Sequence, residues 1–520
     1  MLGRRLGLLV LALPVLAPCL WLLSAWQSLD VSLWSHLSQH VLPNSVLETL
    51  AVLLGVAAGT LLLGAGTGWL IGRCEFVGRR LWEWLLLLPL ALPPYVLAFA
   101  YLGLADYFGL PGRVLRESFA IDWLPPAPHG PLGGILIMSL ALYPYVYLLL
   151  RESFARQPAS LVESARLLGL GPWASFWRVQ WPLARPALLA AIALVSMECL
   201  AEFGAMSVLG VDSLTVVLYR TWFSLQSLQT AAQLASLLLG CVALLGLLVA
   251  LSRTRLSYAS LPRPRARRRL SRWQQALAWA LLATLLLFAL ILPLLQLLAW
   301  ASTAEHPVQQ YREAIMASLK LAGMAALLAL VLGLPVALIA AQQRRDRWLM
   351  PLAQLGHLGY AVPGTVLALG LMIVLTALES WLRPADAAPW LLSTSVLALL
   401  LAYQARFARL AHAPLASALA AVRPSMREAA QTLGAGALER SWRLHLPLLR
   451  PAAFAALLMV FVEVIKELPA TLILRPIGWD TLATRIYAYT SEGQWDLAAL
   501  PALLLILAGL LPVAILARQR

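Results

Sequence analysis

Long apolar runs alternate with short polar stretches along the 520-residue chain. A helix needs about 20 mostly apolar residues to cross a membrane, and about twelve runs reach or approach that length. This pattern predicts an all-α membrane protein with about twelve transmembrane helices. The predicted spans are 6–25, 49–71, 84–104, 131–150, 184–206, 234–252, 275–299, 321–342, 348–377, 388–405, 450–473 and 497–517. The run 388–405 gives the weakest prediction, because it is short and is followed by Arg406.

Two of the polar stretches repeat one pattern, which begins at Glu163 in the first copy and at Glu428 in the second. Without a gap, residues 163–186 and 428–451 are identical at 11 of 24 positions. Each copy has a glutamate followed by two small residues and, further on, two glycines, a Trp-Arg pair and a Pro-Leu pair. The candidate site residues in this pattern are Glu163, Ala165, Gly169, Glu428, Ala430 and Gly434. A duplicated polar insert in so apolar a chain indicates two equivalent docking sites.

Proline and glycine mark the ends of a short helix in each insert. Pro158 and Pro424 suit the first turn of a helix, where the missing N–H of proline costs nothing. Gly169 and Gly434 suit the end of a helix, where a left-handed backbone is often required. We therefore expect each insert to be a short helix, a glycine turn and a second helix that leads into the next span.

The repeat divides the chain into two domains joined by a basic linker. The first domain, 1–252, contains the insert 158–182, and the second, 273–520, contains the insert 423–447. The linker 253–272 carries eight arginines. Six spans in each half is an even number, so both halves enter the membrane in the same direction. Two parallel six-helix repeats, related by an axis along the membrane normal, are the expected architecture.

Basic residues mark alternate loops. Only 12% of the residues are charged, yet the net charge is +15. Because cytoplasmic loops carry the excess of lysine and arginine, we expect both termini and the linker in the cytoplasm. The loop 26–44 has no lysine or arginine and is expected outside. Basic residues spread over alternate loops favour membrane topology over nucleic-acid binding, so we expect membrane lipid and no nucleic acid as a partner.

Four glutamates interrupt the apolar spans and form a candidate translocation pathway. Glu198 and Glu202 lie four residues apart, and Glu463 and Glu467 repeat that spacing. The spacing predicts that each pair shares one helix face, in the outer half of the membrane. Ionisable residues in spans usually face the bundle interior or water, and oxygen ligands suit hard cations, so the same glutamates are candidates for transient metal contact. In the structural alternative, they cap helix ends or are neutralised by Lys466.

The chain carries no nucleotide site of its own. It has no G-x-x-x-x-G-K-[ST] loop to hold phosphates, and its only lysines, Lys320 and Lys466, follow no such glycine pattern. Its seven histidines are scattered, and its four cysteines have neither metal nor disulfide spacing. We therefore expect no catalytic residues, so a membrane enzyme is disfavoured.

The two inserts resemble the EAA signature of ABC importer permeases. Glu428-Ala429-Ala430 matches it directly, and the first copy departs from it only in the small residue Ser164. The resemblance implies the type I ABC importer permease fold in a bacterial inner membrane, with each insert docking on an ATP-binding subunit. It further implies two copies of that subunit, which bind the ATP and Mg, a periplasmic substrate-binding protein, and no cofactor on this chain.

Sequences near the glutamates resemble one branch of that family. Residues 198–204, 466–476 and 480–487 are similar to fused permeases of ferric-iron importers. Ferric iron is therefore the expected cargo, while fused thiamine permeases are similar in size and other small-solute permeases share the fold. A secondary transporter driven by an ion gradient is the alternative from another class, but such a carrier does not need a duplicated insert.

Overall fold

The computed structural model describes residues 2–107, 109–120, 126–252, 267–303, 308–342, 358–383 and 390–518. Most of the predicted linker, residues 253–266, lies outside the described residues, and so does the beginning of the predicted span 348–377. The α-helices are Leu2–Ser24, Val31–His36, Leu42–Arg73, Arg79–Leu85, Pro94–Leu104, Leu110–Phe119, Gly130–Arg156, Ala159–Leu167, Pro172–Ser175, Trp181–Ala201, Gly204–Val208, Leu214–Phe223, Leu228–Ser252, Arg272–Leu286, Leu292–Thr303, Arg312–Gln342, Gly364–Leu382, Val396–Ala421, Pro424–Thr432, Ala437–Arg440, Leu446–Ile465, Pro469–Leu474, Leu482–Ser491 and Trp495–Arg518.

Shorter elements connect these helices. The 3-10 turns are Ala25–Gln27, Leu88–Ala91, Val308–Tyr311, Leu358–Tyr360 and Leu392–Thr394, and the π turns are Leu37–Val41, Phe176–Gln180, Leu287–Ile291 and Ser441–His445. Among the described residues, the strands are Cys74–Glu75 and Arg268–Arg269, which pair in parallel.

The helices confirm the prediction of an all-α membrane protein. Within the described residues, eight helices are long and apolar enough to cross a membrane, and the bent pair Arg79–Ala91 with Pro94–Leu104 is a ninth if it counts as one span. The predicted spans 6–25 and 497–517 coincide with the helices Leu2–Ser24 and Trp495–Arg518, whereas the predicted span 388–405 overlaps only the beginning of the helix Val396–Ala421. Each run of apolar residues singled out in the sequence therefore meets a helix.

The predicted span 84–104 is not one straight helix. Its two parts meet at an angle of 89°, next to Pro93 and Pro94. A helix end inside a membrane leaves carbonyl groups that need donors. The hydroxyl groups of Tyr143 and Tyr147 supply them, donating to the carbonyls of Leu86 and Glu83 at 3.1 Å each.

Packing divides the chain into two compact units. The first-insert unit comprises Leu37–Val217 and Gly240–Ala304, and the second-insert unit comprises Met1–His36, Leu218–Leu239 and Glu305–Arg520. These units are defined by which residues pack together, whereas the domains 1–252 and 273–520 were predicted from the repeat in the sequence. The domain boundaries stay a prediction.

Each unit places its insert at the end of three mutually packed helices. In the first-insert unit these are Leu42–Arg73, Gly130–Arg156 and Trp181–Ala201, and in the second-insert unit Arg312–Gln342, Val396–Ala421 and Leu446–Ile465. The second set surrounds a core of Ala337, Leu415, Leu419 and Leu449. The two copies of the repeated sequence therefore each stand at the end of a three-helix bundle.

A row of glycines brings two helices of the first-insert unit close together. A Cβ atom built at Gly64 would lie 2.6 Å from the Cβ atom of Val146, and one at Gly68 would lie 3.1 Å from the backbone nitrogen of Arg151. Gly72, one turn further, continues the row with a Cβ position 3.0 Å from the carbonyl oxygen of Arg151. Small residues at this spacing let backbones approach in a membrane, where packing replaces the hydrophobic effect.

Candidate functional site

Both polar inserts fold as the sequence predicts, into a short helix ended by a left-handed glycine. The helices are Ala159–Leu167 and Pro424–Thr432. Gly169 has φ +80° and Gly434 has φ +78°, which glycine adopts without the penalty that a Cβ atom brings. The prediction about these glycines' backbone is confirmed, and their role in coupling stays a prediction.

The hydrogen bonds at the two helix ends match residue for residue. The N–H of Leu170 donates to the carbonyl of Ala165 at 3.0 Å, and that of Ala435 donates to Ala430 at 3.0 Å. This bond across five residues is the mark of a Schellman end. The alanines Ala165 and Ala430 therefore serve as acceptors in the turn.

Charged and apolar side chains share the surface of each insert. Glu163 and Glu428 are exposed, whereas Ala165 is buried. Leu168 is 81% exposed and its counterpart Leu433 is 86% exposed. Exposed apolar side chains beside a charged residue are a common feature of protein-interaction surfaces.

The helix after each insert ends earlier than predicted. It runs to Ala201 in the first-insert unit and to Ile465 in the second. Glu202 is therefore past the helix end, with φ −76° and ψ 118°, and Glu467 also follows its helix. The prediction that Glu198 shares a helix face with Glu202, and Glu463 with Glu467, is wrong because the helix stops between the members of each pair.

The second glutamate of each pair caps the short helix that follows. A carboxylate oxygen of Glu202 accepts the N–H of Ala205 at 2.8 Å, and one of Glu467 accepts the N–H of Ala470 at 3.1 Å. The backbone carbonyls of both glutamates accept threonine hydroxyl groups, from Thr215 and Thr471. These are contacts of the structural alternative, in which the glutamates cap helix ends.

Salt bridges complete the pair in the second-insert unit. The ammonium of Lys466 lies 2.9 Å from a carboxylate oxygen of Glu463, as the structural alternative anticipated. The guanidinium of Arg406 lies 3.1 Å from Oε1 of Glu467, which is 6% exposed. Sequence reasoning treated Arg406 only as the end of a weak span. Its place at the end of an apolar run was the signal, because an arginine there requires a partner.

A glycine makes room for this ion pair. A Cβ atom built at Gly364 would lie 2.2 Å from Nη1 of Arg406 and 2.7 Å from Oε1 of Glu467. Gly364 follows Pro363 at the start of a helix. Among the described residues, no group of three or more His, Cys, Asp or Glu side chains could hold a metal ion. Transient contact between the glutamates and a metal ion stays a prediction.

Comparison with known proteins identifies the repeat. The family model described as binding-protein-dependent transport system inner membrane component matches the chain twice, at residues 64–301 and 329–519. Each match contains one polar insert, two of its supporting helices in full and the C-terminal part of the third.

Three relatives show how far the similarity extends. The Fe(3+)-transport system permease protein FbpB 2 of Haemophilus influenzae is 26% identical over 480 residues, which cover 90% of this chain and 88% of that protein. The molybdenum transport system permease protein ModB of Escherichia coli is 30% identical over 171 residues, covering 32% of this chain and 69% of that protein. The sulfate transport system permease protein CysW of the same species is 29% identical over 205 residues, covering 39% and 68%.

Proposed function

We propose a cargo and a coupling mechanism for this chain. The premise is that the chain belongs to the family of binding-protein-dependent transport system inner membrane components. As a member it is a multi-pass membrane permease of an ABC importer. The proposed cargo is ferric iron, received from a periplasmic substrate-binding protein and released to the cytoplasm.

One observation carries the proposal of iron. The relative that matches both repeats, over 90% of this chain, is a ferric-iron permease. The molybdenum and sulfate permeases have slightly higher identity but match only about a third of the chain. Similarity over both repeats weighs more, because cargo passes through a structure that both halves build.

The inserts are proposed to transmit ATP hydrolysis to the permease. Two copies of an ATP-binding subunit each dock on one insert and contact Glu163 or Glu428 beside the exposed leucines. These subunits hold the ATP and Mg, and this chain binds no cofactor. The stiff Schellman turn at Gly169 or Gly434 supports this role, since a docking helix must pass motion on to the span that follows it.

Uptake into proteoliposomes tests the proposal. The chain is reconstituted with its ATP-binding subunits and its binding protein, and the entry of radiolabelled ferric iron, molybdate and sulfate is measured with and without ATP. We expect ATP-dependent iron entry that is lost in the Gly169→Asp, Gly434→Asp double variant while the subunits still assemble. Entry of molybdate or sulfate instead of iron contradicts the cargo alone. Entry driven by an ion gradient without ATP contradicts the coupling mechanism.

The glutamates require a separate test of the pathway. Glu198 is the most informative position, because it lies within its helix, and its substitution leaves the cap at Glu202 and the salt bridges of Glu463 and Glu467 in place. In the same assay, Glu198→Gln is expected to lower iron entry with the complex intact. Normal iron entry in that variant removes Glu198 from the pathway.

The proposed topology places both termini and the linker in the cytoplasm. In a cysteine-free background, Arg269→Cys is expected to resist a membrane-impermeant thiol reagent in intact cells, while Val31→Cys reacts. Both positions are exposed, so accessibility reports the side of the membrane. Labelling of the cysteine at position 269 in intact cells would contradict the proposed topology.

A further inference from the structure

An apolar groove of about 740 Å³ lies within the first-insert unit. One wall is the helix Leu42–Arg73, from Ala58 to Trp69, and it presents small and leucine side chains. Leu62 on this wall is 78% exposed. The groove is lined in part by the C-terminal half of the first insert, but neither Gly169 nor the glutamates Glu163, Glu198 and Glu202 line it.

The opposite wall is aromatic. Phe176 stands at its centre, with ring centroids 5.2 Å from Trp177, 5.8 Å from Trp181 and 6.2 Å from Trp173. Across the groove, the ring of Trp69 meets Phe176 edge-on at 6.0 Å. Tryptophans gather where a protein passes from the membrane interior to the headgroup level.

A cation closes one end of the groove. Arg268 lines it, and the backbone holds this residue in place through the parallel pair Cys74–Arg268 and Glu75–Arg269. The neighbouring Arg267 adds an ion pair with Glu75 at 3.5 Å. The guanidinium of Arg268 thus lies at one end of the apolar groove.

We propose that this groove binds one anionic phospholipid of the surrounding membrane, with an acyl chain along the helix wall and the phosphate at Arg268. From Ala58 to Trp69 the wall is about 16 Å long at 1.5 Å per residue. That is close to half of the roughly 30 Å hydrocarbon core. An amphiphile with one negative end and one apolar chain fits both the charge and the length.

The aromatic wall is not a general consequence of the repeat. When Glu163 is aligned with Glu428, Trp177 has a counterpart in Trp442, but Trp173, Phe176 and Trp181 correspond to Leu438, Ser441 and Leu446. The second insert keeps its Schellman turn without these rings. The aromatic side chains therefore serve something that the first-insert unit has by itself.

Native mass spectrometry of the full-length chain tests the proposal. The purified protein is exchanged into detergent with phosphatidylglycerol or phosphatidylcholine of the same acyl chains, and retained lipid is counted. We expect the parent chain to retain phosphatidylglycerol in preference. Arg268→Gln should weaken that retention about fivefold, the factor given by about 1 kcal/mol for one arginine at an anionic surface.

Two matched controls separate the site from general effects. Arg269→Gln removes an exposed arginine of the same strand that does not line the groove, and it should leave retention unchanged. Gly66→Leu fills the groove, where a Cβ atom meets nothing within 4 Å, and it should abolish retention without loss of folding. Gly323→Leu makes the same change in the second-insert unit, also in open space, and should have no effect.

Three results overturn the proposal. Equal retention of the two lipids by the parent removes the role of the charge, and unchanged retention in Arg268→Gln or in Gly66→Leu removes the site. If Gly66→Leu instead prevents assembly with the ATP-binding subunit while lipid is unaffected, the groove is a protein-docking surface. None of these results depends on which cargo is transported.

Discussion

The two inserts share one backbone, but the helices behind the first approach each other more closely than those behind the second. Leu168 donates its N–H to Ser164 at 3.0 Å, and Leu433 donates to Ala429 at 3.1 Å, at positions that the repeat aligns. Behind the first insert the helices approach through Gly64 and its neighbours, whereas behind the second they enclose a leucine and alanine core. The surface that is proposed to meet the ATP-binding subunit is thus kept in both inserts, while the packing behind it differs in detail.

The ends of the supporting helices differ in charge. Glu202 and Glu467 both accept an N–H three residues ahead, but Glu467 also binds Arg406. The cap is common to both units, and Glu467 combines it with the salt bridge to Arg406.

Removal of the carboxylate charge should separate the two caps most strongly. Glu467→Gln keeps an oxygen for the Ala470 N–H but takes the negative charge away from Arg406. Breaking a buried ion pair costs about 3–5 kcal/mol, so we expect a loss of that size in unfolding free energy, measured by SDS titration in mixed micelles. Glu202→Gln should cost about 2 kcal/mol or less through the cap, because a partly buried charge near a helix start contributes up to that much.

A second variant checks the cause of that difference. Arg406→Met combined with Glu467→Gln removes both charges, and it should recover most of the stability that Glu467→Gln loses, because an apolar replacement of a whole buried pair is often neutral. Equal losses for Glu202→Gln and Glu467→Gln, with no recovery in the double variant, contradict the assignment of the ion pair.

The glycine row should be the weak point of the first-insert unit. Gly64→Leu forces a side chain against Val146 and the carbonyl of Tyr143, both under 3 Å from the new Cβ position. Overpacking of this kind costs about 1–3 kcal/mol or more, which a thermal unfolding curve in detergent resolves. Gly66→Leu on the same helix enters open space and should leave the curve unchanged. Similar curves for the two variants would mean that the helices are not held by close approach.

The sequence predicted what depends on local pattern. Apolar runs gave the spans, and the spacing of proline and glycine gave the helix and turn of each insert, because both are decided by residues a few positions apart. The bend at Pro93 was missed. The backbone carbonyls next to the bend accept hydrogen bonds from residues far away along the chain, such as the one that the hydroxyl group of Tyr143 donates to the carbonyl of Leu86. The helix ends at Ala201 and Ile465 were missed as well, because a glutamate that caps the next helix has the same spacing as one on a helix face.

Substitution of the left-handed glycines should affect both units alike. Gly169→Ala and Gly434→Ala each place a Cβ atom on a backbone with φ near +80°, which costs about 1–2 kcal/mol. Because the hydrogen bonds of the two turns match, we expect equal losses of unfolding free energy. Gly171→Ala, in the same turn and in open space, is the control and should be nearly neutral. A large loss from one insert only would show that the two turns are not equivalent.

The smallest effect is expected where the two inserts differ beside their glutamates. Ser164→Ala gives the first insert the Glu-Ala-Ala sequence of the second, and Ala429→Ser makes the reverse change. Both positions are exposed, and the carbonyl groups that close the turn belong to the backbone, so each change should alter unfolding free energy by less than about 0.5 kcal/mol. If only small size matters there, ATP hydrolysis by the assembled complex should change by less than about twofold, which about 0.5 kcal/mol allows. Ser164→Leu and Ala429→Leu should instead prevent docking, because each puts a branched side chain next to the exposed glutamate. A complex that tolerates leucine at both positions, with normal hydrolysis and iron entry, would mean that this face of the insert does not meet the ATP-binding subunit.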